Sequence, residues 1–200
     1  MNTTPSQPRK RAVGRPKRLD LGSLLDAVLH FGLDTFTMAQ IANHLGVSEG
    51  TLYNYVRSRE ELRGRTAARL LDSIDTVVDS SDDWINYLVE VNGQLRNLAV
   101  ENVGLSSYYL HGPYRPQTID LFDRIVSGVV QRLPHSDIDL AFVLASHAST
   151  TTLSFFSGID VDERIFRRVL RSTLPALNEA LDGAAPAGVS WAHVVQVARQ

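Results

Sequence analysis

Residues 43–56, NHLGVSEGTLYNYV, set two glycines and a serine among the apolar positions Leu45, Val47, Leu52 and Val56. Just upstream, Thr37-Met38-Ala39-Gln40 has the form of a capping box, in which threonine and glutamine satisfy each other's free backbone N–H groups. Phe36 and Ile41 are spaced around that cap as a hydrophobic staple. The arrangement then repeats, with Ser48 as the cap, Val47 before it and Leu52 within. Gly46 falls between the two starts, where a left-handed backbone ends a helix at little steric cost. A chain punctuated in this way cannot continue as one rod. It must end a helix over 37–45, turn, and throw a third helix, expected over 48–57, across it.

That is the helix-turn-helix unit. Counted from Met38 as position one, Ile41, Leu45, Val47, Leu52 and Tyr55 fall at four, eight, ten, fifteen and eighteen, a small core between crossed helices, with Ala42 where the backbones approach. With Leu52 at the buried centre of the third helix, Gly50, Thr51, Tyr53, Asn54 and Arg57 point away. A major groove admits one α-helix and is read by hydrogen-bonding side chains. Gly50 allows close approach, Thr51 and Asn54 can reach bases or phosphates, and Tyr53 can donate to phosphate. Glu49 can accept from a cytosine amine or simply favour the helix N-terminus.

On these residues the chain resembles the TetR family of bacterial transcriptional regulators. TMAQIANHLGVSEGTLYNYVRSREEL, residues 37–62, is similar to the family's DNA-binding signature, and the preceding helix fits as well. In that pattern Thr37 opens the second helix and Ser48 to Tyr53 supplies the serine–x–x–threonine–leucine–tyrosine run. Arg59 stands where a phosphate-touching lysine is common, Tyr55 where histidine or tyrosine is common, and Val56 where phenylalanine is usual. The resemblance implies an all-α protein: a three-helix DNA-binding unit with the helix-turn-helix, then a helical ligand-binding and dimerisation domain.

Charge adds a second element. Residues 1–19 carry Arg9, Lys10, Arg11, Arg15, Lys17 and Arg18 and no acid, so a net charge of −2 divides into +6 on the arm and −8 on the rest. Pro-, Arg- and polar-rich, residues 1–18 are expected to be disordered alone. The 20–64 segment sums to −3, so phosphate affinity must come from elsewhere. Val13-Gly14-Arg15-Pro16-Lys17 resembles the core of an AT-hook, and Arg15 and Lys17 are expected in a narrow A·T minor groove; the alternative is a solubilising tail.

The remaining chain reads as helix, giving expected units 1–18 (arm), 19–65 (DNA binding) and 66–200 (effector binding and dimerisation). Leu21, Leu24, Leu25, Val28 and Phe31 recur at helical spacing up to Gly32. Ser58-Arg59-Glu60-Glu61 opens a long helix through Leu62, Leu70, Leu71, Ile74 and Val78, ended by DSSDD at 79–83. Further helices are expected near 84–104, 115–133, 137–157, 162–182 and 190–199. The small-residue run LAFVLASHASTTTLSFF suits a tight helix–helix contact, and Pro175 suits a kink.

The resemblance implies that two late helices pair with their copies, with Phe166, Leu170, Leu174 and Leu177 expected at the dimer interface. It also implies a cavity, for which the candidates are Trp84, Tyr87, Tyr108, Tyr109, His111, Tyr114, Phe122, His147, Thr151 and Phe155. Each has the alternative of being an ordinary core or surface residue. The aromatics suit a small, mostly apolar effector. The Tyr108–Tyr114 cluster can equally be a packed turn between helices.

Absence of cysteine excludes disulfides and thiolate chemistry. Gly46-Val47-Ser48-Glu49-Gly50 has the letters G-x-S-x-G but lies between two helices and not after a strand, so it is no nucleophile elbow. No P-loop or HExxH is present and the six histidines lack metal-ligand spacing, so no catalytic residue, metal or cofactor is expected. No apolar run approaches the roughly 20 residues of a membrane span, and the N-terminus lacks a secretory centre, which points to the cytoplasm. The expectation is a regulator, most simply a repressor, that binds a palindromic operator on double-stranded DNA as a homodimer and is released by an effector. An architectural DNA binder and an all-helical enzyme are the alternatives.

Overall fold

The computed structural model describes residues 19–77, 83–158 and 161–198, and these are helical with no strand among them. The helices are α1 (Leu21–Phe31), α2 (Met38–Leu45), α3 (Glu49–Leu52), α4 (Arg59–Leu71), α5 (Trp84–Glu101), α6 (Leu105–His111), α7 (Pro116–Arg132), α8 (Ile138–Phe155), α9 (Glu163–Ala180) and α10 (Trp191–Ala198). The basic arm, with Arg15 and Lys17, lies outside the described residues, as does Val78.

Local chemistry sets the first elements. Asp20 caps α1 by accepting from Ser23 N at 2.8 Å. Thr37 and Gln40 complete their box: Gln40 N donates to Thr37 Oγ1 at 3.2 Å and Thr37 N to Gln40 Oε1 at 2.8 Å. Gly46 ends α2 in the left-handed region at φ 68°, ψ 33°, where a residue with a Cβ would be strained. Beyond it the chain turns, and Leu52 packs at 0% exposure in the core that also holds Leu24, Val28, Ile41 and Val56.

Four expectations are corrected. The third helix is short: only Glu49–Leu52 is α-helical, and Asn54 N and Tyr55 N bond back three residues, to Thr51 O and Leu52 O. Gly50, Thr51, Tyr53 and Asn54 are poor helix formers, and the second turn tightens accordingly. Ser48 makes no cap bond; its hydroxyl pairs with Thr51 Oγ1 at 2.8 Å. Ser58 caps α4 through Glu61 N, but the Glu61 carboxylate reaches Arg57 N at 2.7 Å, one residue past the expected partner. Finally, α4 stops at Leu71. The Ser73 hydroxyl takes the Leu70 carbonyl at 2.7 Å, a local competitor to continued helix, and Gln94 on α5 ties down the backbone of Asp75.

A single core runs from Leu24 to Trp191. In the body α5 packs against α7, α8 and α9, while α10 lies on α7 and α8. The α9 stripe expected at a dimer contact faces inward: Phe166, Leu170 and Leu174 are each 0% exposed and Leu177 is half-buried. An amphipathic stripe looks the same whether it covers its own core or a partner, and here α5 and α8 cover it. The helix continues through Pro175. No helix among the described residues is long and apolar enough to cross a membrane.

Candidate nucleic-acid interface and interior cavity

The turn at Gly46 leaves one side of α3 and its following turn uncovered. Thr37, Ser48, Glu49, Gly50, Asn54 and Arg57 are exposed, Tyr53 is 48% exposed, and Thr51 is half-buried. These side chains come from the starts of α2 and α3 and from the turn after α3. Tyr55 faces the other way, and its hydroxyl donates to Leu19 O at 2.9 Å. This bond ties Leu19 to the turn after α3.

Arg59 does not belong to this outward set. Its guanidinium lies 4.5 Å from the Phe36 ring centroid, donates from Nε to Phe36 O at 2.9 Å and from Nη2 to Asp34 O at 2.7 Å, and pairs with Glu60 through Nη1. It fastens the start of α4 to the loop before α2. Both lysines of the chain, Lys10 and Lys17, lie in the arm.

Arg63 joins the N-terminal helices α1–α4, the head, to the later helices of the body. Buried, it donates to Asp34 Oδ1 from Nε at 3.0 Å and Nη2 at 2.7 Å, and reaches Ser107 Oγ and Gly112 O, both at 3.3 Å, with its guanidinium 5.5 Å from the Tyr108 ring centroid. Leu33 N donates to Val103 O at 2.9 Å. Gly104, at φ 93°, lies so close to the same loop that a Cβ there would sit 2.7 Å from Asp34 N.

On its other side α6 borders a cavity of about 240 Å³ among α6, α7, α8 and α10. Its rings are Tyr109, Tyr114, Phe122, Phe142 and Trp191; its hydroxyls come from Thr118, Ser146, Ser149 and Thr150, and among the described residues no charged side chain lines it. The Tyr109 and Ser149 hydroxyl oxygens are buried without a well-formed hydrogen bond. Burial pushes the Tyr109 phenol far above its ordinary pKa, and the neighbouring Ser149 hydroxyl opposes this only in part. Burial also raises Tyr114.

Of the ten expected cavity residues, the structure brings together Tyr109, Tyr114 and Phe122. Trp84 and Tyr87 are buried in the core, Tyr87 with Arg132 over its ring at 4.5 Å. Tyr108, one helical step from Tyr109, turns from the cavity and shares a 3.0 Å hydrogen bond with Thr118 Oγ1. His111 is exposed, with Nδ1 3.0 Å from Ser107 O. His147 and Thr151 lie half-buried elsewhere on α8, burial lowering the His147 pKa, and Phe155 is 67% exposed. Residue type alone does not give facing. Among the lining residues missed, those on α8, Phe142, Ser146, Ser149 and Thr150, carried a signal, since they recur at helical spacing on one side of that helix. Trp191 carried none, because α10 reaches the cavity only through tertiary packing.

Comparison with known proteins bears on the family. A family model described as bacterial regulatory proteins, tetR family, matches residues 28–66. An uncharacterised HTH-type transcriptional regulator of Mycobacterium tuberculosis is 34% identical over 73 residues, a stretch covering 34% of each chain, so the match spans about a third of that relative's length. A TetR variant from Acinetobacter baumannii AYE, solved with minocycline, superimposes with TM-score 0.65 at 17% identity, over 82% of this chain and 94% of the other. BioQ, solved with its double-stranded DNA operator, gives TM-score 0.63 at 20% identity, over 82% and 98%. ActR of Streptomyces coelicolor, solved with (S)-DNPA, gives 0.60 at 15%, over 90% and 93%. At these identities the structural likeness is one of fold. Residues 28–66 thus carry the N-terminal signature of the bacterial regulatory proteins of the tetR family, and the chain as a whole shares its fold with the solved TetR-type proteins.

Proposed function

We propose that this chain is a transcriptional regulator that binds an approximately palindromic operator as a homodimer, with residues 19–65 as the DNA-binding unit, and is released when a small, mostly apolar effector enters the body. The carrying observation is the uncovered polar side of α3 and its following turn, held out by the Gly46 elbow. Thr51 and Asn54 are the base- or phosphate-reading candidates, Thr37, Ser48 and Tyr53 the phosphate donors, and Gly50 the point of closest approach. Arg57 and, from the arm, Arg15 and Lys17 supply charge. Arg59 is left out because its guanidinium is engaged within the head.

Two further features support the reading. Phe155 on α8 and Ile165 on α9 are 67% and 53% exposed, large apolar side chains on adjacent helices that a second copy can cover. This outward pair replaces the inward α9 stripe as the proposed dimer contact. The second feature is α6, which meets the cavity through Tyr109 and Leu110 and the Arg63–Asp34 pair through Ser107 and Gly112. A ligand that displaces α6 must also disturb the seat of the head. Effector and operator then weaken each other's binding by the same factor. The similar proteins solved with an operator and with minocycline act as precedents for both kinds of partner.

A salt titration tests the DNA half. Deleting residues 1–18 is expected to flatten the slope of log affinity against log salt by about 0.9 for each phosphate that the arm neutralises. An unchanged slope removes the arm from the interface. Equal affinity for operator and random duplex would favour an architectural DNA binder instead.

A further inference from the structure

The cavity is chemically narrow, and its restrictions point the same way. Phe142 and Trp191 stack with centroids 5.0 Å apart and planes 24° apart, and Phe122 leans on Trp191 at 5.5 Å. Trp191 is fixed by two carboxylates: Nε1 donates to Asp123 Oδ1 at 2.8 Å and the backbone N to Asp139 Oδ1 at 2.7 Å. One wall is thus a preset aromatic surface, suited to a planar guest that stacks or meets it edge-on. With no charged lining residue, a guest carboxylate or ammonium seated against this wall would exchange its water for hydroxyls alone, which disfavours a charged guest.

The same lining holds two hydroxyls with an unmet need. Tyr109 Oη and Ser149 Oγ are buried and lack a good partner, a condition native interiors rarely tolerate without a purpose. The buried phenol keeps its proton at neutral pH, so Tyr109 is available as a donor. Size sets the last limit. An engineered cavity of about 150 Å³ holds benzene, so by proportion about 240 Å³ suits about ten non-hydrogen atoms.

We propose that this cavity takes an uncharged one- or two-ring aromatic molecule bearing a single carbonyl or hydroxyl oxygen, received by the Tyr109 and Ser149 hydroxyls. The inference rests on the regulator reading only in calling that molecule the effector; the binding chemistry stands independently.

The test uses the full-length protein and three probes of one shape, 2-naphthol, naphthalene and 2-naphthoate, titrated by calorimetry with tryptophan fluorescence as a second readout. The expected order places 2-naphthol about fivefold to tenfold tighter than naphthalene, the worth of one hydrogen bond, with 2-naphthoate weakest. Tyr109→Phe and Ser149→Ala, which keep the wall's shape, should each cut the naphthol preference severalfold while leaving naphthalene affinity in place. Thermal melts of both variants establish that they fold. Tightest binding by 2-naphthoate, no binding by any probe, or a preference unchanged in both variants would overturn the proposal. Operator affinity is measured separately with 2-naphthol bound. The expected binding pattern with no change at the operator would support the cavity chemistry and overturn the release mechanism.

Discussion

The head and the body put their polar side chains to opposite uses. Around α3, Ser48, Asn54 and Arg57 face solvent while Leu52 and Val56 fill a small core. In the body, Asn92, Thr118, Ser149 and Thr152 are buried among apolar residues, and two of these, Thr118 and Ser149, reach the cavity. A surface that reads a large polyanion must show its donors; a cavity that selects a small apolar guest must hide a few. Charge follows the same division, since the exposed side of the head carries Glu49 and Arg57 while the cavity lining holds no charged side chain among the described residues. On the proposed function, the difference teaches where recognition energy would be stored: in outward geometry fixed by caps for the head, and in unsatisfied interior groups for the body.

The largest expected effect tests whether the head owns a true core. Leu52→Ala and Leu88→Ala each empty a site of 0% exposure, and each should lower unfolding free energy by about 2–5 kcal/mol. A loss below about 1 kcal/mol for Leu52→Ala in chemical denaturation would mean that the elbow does not depend on its packing. The next separates reading from fastening. Asn54→Ala should weaken operator binding by about 1–3 kcal/mol with stability kept. Arg59→Ala, which breaks bonds to Asp34 O and Phe36 O, should lower the melting temperature and spare the affinity of the folded fraction. The reverse pattern would return Arg59 to the interface.

A smaller effect tests the joint. Tyr108→Phe removes the hydroxyl that bonds Thr118 and accepts from Arg115 N at 3.2 Å. With each bond worth about 0.5–1.5 kcal/mol, the variant should bind operator and cavity ligand nearly as before, while the factor by which one weakens the other falls severalfold. Unaltered coupling in a linked titration would take Tyr108 out of the route. The smallest contrast lies within the head. Thr37→Ala loses a formed cap and should cost about 1 kcal/mol, whereas Ser48→Ala, which loses no cap bond, should cost only a few tenths of a kcal/mol. Equal losses in thermal melts would show that Ser48 caps α3 in solution.

Much of the head is legible in the sequence because its rules are local. Thr37 and Gln40 are three residues apart, and Gly46 needs only its own φ to end α2. The length of α3 is not legible in the same way, since the apolar spacing of Leu52 and Val56 fits a tight turn as well as an α-helix. Ser48 resembles a cap because the sequence does not reveal that Thr51 offers its hydroxyl a different partner. In the body, helices can be found but not their facing. Phe166 and Leu170 form the same stripe whether covered by α5 and α8 or by a second copy. The short helix α6, between Gly104 and Gly112, reads as part of a turn, and its placement of Tyr109 toward the cavity and Tyr108 toward Arg63 arises only from packing.

The most direct measurement is selection of bound duplexes from a random-sequence pool by the full-length protein, followed by footprinting of the winners. The expected outcome is an approximate inverted repeat, its half-sites centred about one DNA turn apart or a multiple of it, with protection abolished in the Asn54→Ala protein at equal concentration. Recovery of no common sequence, or a footprint that Asn54→Ala leaves intact, would contradict the assignment of α3 and its turn as the element that reads DNA.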